Sequence, residues 1–72
     1  MERTRGFFID PGKIGFFKAI LESYEDVAIM TVIDGRTGRI DLIYPVSSEE
    51  TLKGIMADMA RYNIHFREEA DV

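Results

Sequence analysis

The sequence predicts an α+β domain in the order β-α-β-β-α-β: a four-stranded antiparallel sheet, spatial order 4-1-3-2, with both helices on one face. Three observations predict it. Two stretches carry apolar residues at helical spacing, each set between β-favouring runs. A five-residue loop with two glycines, Asp34-Gly35-Arg36-Thr37-Gly38, joins the middle two runs and reads as a hairpin connection. No linker, low-complexity stretch or fixed-period repeat divides the 72 residues, so one domain spans 1–72.

The first element is a strand from Thr4 to Ile9, aromatic-rich and ended by Asp10-Pro11-Gly12. A helix from about Pro11 to Glu25 follows, with Asp10 as N-cap and Pro11 at its first position. Ile14, Phe17, Leu21 and Tyr24 form its apolar face, widened by Phe16 and Ile20. The second strand, Val27 to Ile33, is nearly continuously apolar. The third, Arg39 to Val46, alternates Ile40, Leu42, Tyr44 and Val46 with more polar positions. Ser47 and Glu50 have the spacing of a capping box at the head of the second helix. Leu52, Ile55, Met56, Met59 and Tyr62 mark its buried stripe, and Asn63 is a stop. A short strand from Ile64 to about Glu68 closes the chain, trailing into residues 69–72. With right-handed crossovers this is the ferredoxin-like arrangement. It brings Arg3 and Arg5 on the first strand beside Glu68 and Glu69 on the last, a favourable cross-strand pairing.

Composition excludes several function classes. Cysteine is absent, which removes disulfides, thiolate metal sites and cysteine nucleophiles. A charge of −4 opposes phosphate binding, so no nucleic-acid partner is expected. No apolar run approaches the roughly 18 residues of a membrane span. The apolar block Phe7-Phe8-Ile9 is too short for a signal peptide, and the expected location is the cytoplasm.

The candidate motifs are modest. Arg5-Gly6-Phe7-Phe8 echoes an RNA-recognition signature, but it lies on the first strand rather than the third and breaks at Asp10-Pro11. Gly12-Lys13-Ile14-Gly15 opens a helix, where free amides beside Lys13 suit a small anion or carboxylate; the competing account is a tight strand-to-helix turn. His65, the single histidine, alternates with Ile64 and Phe66 and faces away from the helices, with no partner for base catalysis. Carboxylates such as Asp26, Asp34, Asp41 and Asp58 lie on different elements without calcium-loop spacing. Arg36 and Arg39 make the hairpin tip basic. Met56 and Met59 belong to the helical stripe, and no cofactor is implied.

The second sheet face carries the functional expectation. Strand two is apolar on both sides, so either side can meet the helices, and an apolar stripe remains on the other. A chain this short also gains from extra burial. Ala28, Met30, Val32 and Ile43 are assigned to the uncovered side, as the contact surface of a homodimer or of another protein partner.

Two family resemblances arise on specific residues. The stretch Ala19 to Asp34, followed by Thr37 to Pro45, resembles a small uncharacterised bacterial family of unknown function. Glu22-Ser23-Tyr24 matches its turn before strand two, and Pro45 its proline after strand three. The resemblance implies the fold and no established activity. Pro11-Gly12-Lys13-Ile14 is also similar to the turn after strand one of ACT domains, which bind amino acids at dimer interfaces. That resemblance implies ligand contact at Gly12 and its neighbours, although Tyr24-Glu25-Asp26-Val27 stands where ACT domains have Gly-x-Asn-Ile. The leading expectation is a non-enzymatic module acting by self-association or protein contact. The alternative is an ACT-like regulatory domain that binds an amino acid or small anion through Asp10, Gly12, Lys13 and Gly15.

Overall fold

Strand β1 (Glu2–Phe8) leads through a single 3-10 turn, Pro11–Lys13, into helix α1 (Ile14–Glu22). The hairpin β2 (Ile29–Asp34) and β3 (Arg39–Pro45) follows, then α2 (Glu49–Asp58) and the two-residue β4 (Arg67–Glu68). This computed structural model describes residues 1–69; the trailing residues 70–72 lie outside the description. The sheet runs β2-β3-β1-β4, all neighbours antiparallel, which is the predicted order read from the other side.

Helix boundaries depart from the sequence reading for local reasons. Asp10 does cap, its carboxylate accepting from the Gly12 amide at 3.0 Å, but the turn it caps is the 3-10 turn. α1 stops at Glu22, where the Ser23 hydroxyl donates to the Ile20 carbonyl at 2.6 Å. Asp26 then takes a left-handed φ of 56° to start the return. The capping box does not form: Val46–Ser48 make a 3-10 turn, and α2 starts at Glu49 without a side-chain cap. Asn63 ends the following turn at φ 60°, as its residue type foretells.

The core lies between one sheet face and the helices. β3 supplies Ile40, Leu42 and Tyr44, all essentially inaccessible. α1 supplies Phe17 and Leu21, and α2 supplies Leu52 and Ile55. Phe66 stacks edge-on against Phe17 at 4.7 Å and meets Phe7 at 6.1 Å, tying the last segment to both β1 and α1.

The cross-strand charge expectation is met at one position and corrected at the other. Arg5 pairs with Glu68 across the β1–β4 edge, its Nε donating at 2.8 Å. Arg3 turns instead to Glu49 at the head of α2, 3.3 Å away. Glu69 lies on the opposite sheet face, where Arg39 takes it at 2.6 Å.

Glu49 also accepts from the Tyr44 hydroxyl at 3.0 Å. That hydrogen bond, helped by the charge of Arg3, holds the Glu49 carboxyl below its ordinary range. A lowered folded-state value stabilises the fold above the unfolded carboxyl's ordinary pKa of about 4.3, and the contribution is lost as pH falls through the lowered value. Tyr44→Phe is expected to move Glu49 back toward the ordinary range and to flatten this part of the acid-stability profile. A carbon-detected NMR titration of the Glu49 carboxyl in both proteins checks it, and an unchanged midpoint refutes it.

Candidate functional site

The hairpin register decides which side chains the helices leave uncovered. Met30 stands opposite Leu42 and Val32 opposite Ile40, and both partners are core residues. Directly opposed residues share a face, so Met30 and Val32 belong to the helix side. Ala28 and Met30 indeed pack against the core. The assignment of Ala28, Met30 and Val32 to the uncovered face is therefore corrected, and Ile43 alone of the four stands there. Its cross-strand partner is Ile29, followed on that face by Thr31 opposite Asp41. Ile33 falls at an irregularity between Val32 and Asp34.

The uncovered face is not apolar throughout. Arg39 lies flat across Gly6, where a Cβ would stand 2.5 Å from its guanidinium. Its nitrogens reach Asp41, Glu69 and the Ile40 carbonyl, each at 2.6 Å. Nearby, the Arg67 guanidinium sits 4.5 Å above the Phe8 ring. Ion pairs thus pave the β1–β4 half. Hydrocarbon remains at the β2 corner, formed by Ile29, Ile43 and Pro45 with Glu2 and Asp26 at its border.

That corner adjoins an unpaired sheet edge. Ile29 is 66% exposed, Ile33 54% and Val32 44%. The edge runs Ile29-Met30-Thr31-Val32-Ile33 without a charge or a proline. Its free backbone groups can be assigned. On the β1–β3 ladder the Ile9 amide donates to Gly38 and the Val46 amide to Met1. Bonded pairs alternate, so Ile40, Leu42 and Tyr44 bond toward β1. Arg39, Asp41 and Ile43 then bond toward β2, engaging Ile29 and Thr31. The amides and carbonyls of Met30 and Val32 consequently point outward. The opposite edge, β4, has two residues, Arg67 and Glu68, both charged.

A second shallow groove follows the same edge between α1 and β2. Lys18, Leu21 and Glu22 line it from the helix, and Ala28, Ile29 and Met30 from the strand.

The other predicted site residues fall along the β1–α1 turn. The Gly12 amide is engaged by Asp10, and the Lys13 amide donates to the Asp10 carbonyl at 2.8 Å. Gly12 and Lys13 border a groove with Phe16, Tyr62 and Ile64, whereas Gly15 faces open space. His65 is exposed. Among the described residues no cluster of three or more metal-ligating side chains occurs, and no helix is long and apolar enough to cross a membrane.

The family model described as Domain of unknown function (DUF4911) matches residues 7–62. The chain belongs to this family. No curated protein and no solved structure matches it. The DUF4911 match runs from β1 to the turn after α2 and takes in the whole β2 edge. Ile29 and Ile33 were not singled out in the sequence reading; the pairing of β2 with β3, whose register shifts between Val32 and Asp34, is what sets Ile29 opposite Ile43 on the uncovered face.

Proposed function

We propose that this chain is a protein-contact module that works through the β2 edge and its apolar corner rather than by catalysis. One observation carries the reading: of the two sheet edges, one is short and charged, and the other is six residues long with an uncharged, exposed apolar run. Bare edges of that kind are templates for strand addition and are ordinarily blunted by charge, proline or a bulge. Here only the far end, beyond Val32, carries an irregularity. Covering the exposed part of Ile29 alone is worth roughly 1–2 kcal/mol, and the outward groups of Met30 and Val32 add directional hydrogen bonds.

The double variant Ile29→Lys, Ile33→Lys tests the reading. Both positions are exposed, so folding stability should change by no more than about 0.5 kcal/mol per site. Association of the chain, with itself or with a defined partner, should weaken by about tenfold or more. Sedimentation velocity measures the first kind and titration calorimetry the second. Association that persists unchanged in a folded double variant overturns the proposal.

A further inference from the structure

Resting on the edge reading, we infer that the occupant of the β2 edge is an extended peptide segment of another protein, added antiparallel, in which basic residues directly follow an apolar run. The outward amides and carbonyls of Met30 and Val32 set the register. The two residues of the segment that stand opposite them exchange hydrogen bonds with them, as the antiparallel neighbours within the sheet do. Side chains of the segment then alternate between the two faces. Those opposite Ile29 and Ile33 cover the two most exposed side chains of the edge, and the one at Ile29 also meets the corner that Ile43 and Pro45 continue. The one opposite Met30 meets the groove between α1 and β2.

Charge selects the basic residues and fixes their place. Three exposed carboxylates gather at the start of β2: Glu2 and Asp26 border the apolar corner, and Glu22 lines the α1 groove. Among the described residues none of the three takes part in an ion pair. β1 and β2 run parallel, both being antiparallel to β3, so the crossover helix α1 runs the opposite way and ends at Glu22 beside the start of β2. The negative end of its dipole adds to the carboxylates there. A carboxylate in that last turn works against the helix, whereas a cation brought by a partner is attracted by both. Further along the edge the sign changes. Lys18 stands one helical turn before Glu22, and Arg36 lies in the loop beyond Asp34, each without an ion pair among the described residues. Basic residues of the segment therefore belong past Ile29, not along Met30 to Ile33. In an antiparallel segment that place is C-terminal to the apolar run. The net charge of −4 repels a like-charged copy of this chain and draws a basic segment.

The probe is a synthetic peptide, Val-Thr-Thr-Val-Ile-Lys-Arg, followed by fluorescence anisotropy and by NMR of the β2 amides. One control peptide ends in Glu-Glu instead, and a second has the reversed sequence Arg-Lys-Ile-Val-Thr-Thr-Val. The first peptide should bind about tenfold or more tightly than either control, shift the Met30 and Val32 amide resonances, and weaken as salt is raised. Glu22→Lys with Asp26→Asn should abolish its advantage over the Glu-Glu peptide. Asparagine suits the left-handed φ of 56° at Asp26 and lysine suits the end of α1, so this variant keeps the fold. No binding up to millimolar peptide, or an advantage that is absent or survives this variant, overturns the basic segment. Equal binding of the reversed peptide overturns the antiparallel direction. In each of these cases the edge reading stands if the Ile29→Lys, Ile33→Lys variant still loses an association of the chain. Peptide binding that persists unchanged in that folded lysine variant overturns the edge reading itself.

Discussion

Gly38→Ala should cost about 3 kcal/mol or more, from two sources that act together. The residue sits at φ +83°, where an L side chain is strained by roughly 1–2 kcal/mol. An added Cβ would also stand 1.7 Å from the Ile9 carbonyl oxygen, which is backbone and cannot swing aside. Relief requires the hairpin end to part from β1. That breaks the bond from the Ile9 amide to the Gly38 carbonyl, 3.0 Å in the native fold, at about 1 kcal/mol more. A domain of this length has roughly 4–11 kcal/mol to lose. The melting temperature should fall by about 12–24 °C. Thermal unfolding followed by circular dichroism measures it, and a fall of only a few degrees would show that the hairpin accommodates the methyl group. Gly6→Ala is the instructive contrast, because the obstacle there is the free end of Arg39, which can swing away.

Phe17→Ala should be comparably severe, at about 3–5 kcal/mol. Phe17 is wholly inaccessible at the centre of the core, and its ring is the contact surface for Phe66. β4 pairs with β1 at only two positions, so Phe66, the Arg5–Glu68 and Arg39–Glu69 pairs and the Arg67 guanidinium over Phe8 hold the last segment in place. The cavity therefore removes packing from the helix layer and also loosens the strand after it. Hydrogen exchange in the milder Phe17→Leu variant should show early loss of protection at Glu69, whose amide donates to the Gly6 carbonyl. Protection there that tracks global unfolding would mean that the segment is held by other contacts.

Much of the fold was legible because its signals are local. The strand runs, both helical stripes, the hairpin loop and Asn63 each declare themselves within a few residues. The capping box of Ser47 and Glu50 was misread because the chain enters α2 through a 3-10 turn at Val46–Ser48, which places Ser47 inside that turn and leaves α2 to start at Glu49 without a side-chain cap. The contact surface was half legible. That β2 is apolar on both sides followed from composition, but choosing its outer side needed the register. The observed register sets Val32 opposite Ile40 and Met30 opposite Leu42, with Asp34 opposite Arg39 beyond a shift at Ile33, and that register assigns Met30 and Val32 to the core side. The expectation of an apolar stripe across the whole face failed for a different reason. Arg39 reads in the sequence as a basic hairpin tip, and only the missing side chain at Gly6, distant in sequence on the directly paired strand β1, lets it lie down and gather Asp41 and Glu69.

The unequal margins of the sheet also set a ceiling on growth. A chain sticky at both rims could add neighbours without end and would drift toward fibres. Here one rim ends in the charged pair Arg67 and Glu68, so association through the β2 edge would occupy the one uncharged strand rim among the described residues and would stop at a pair.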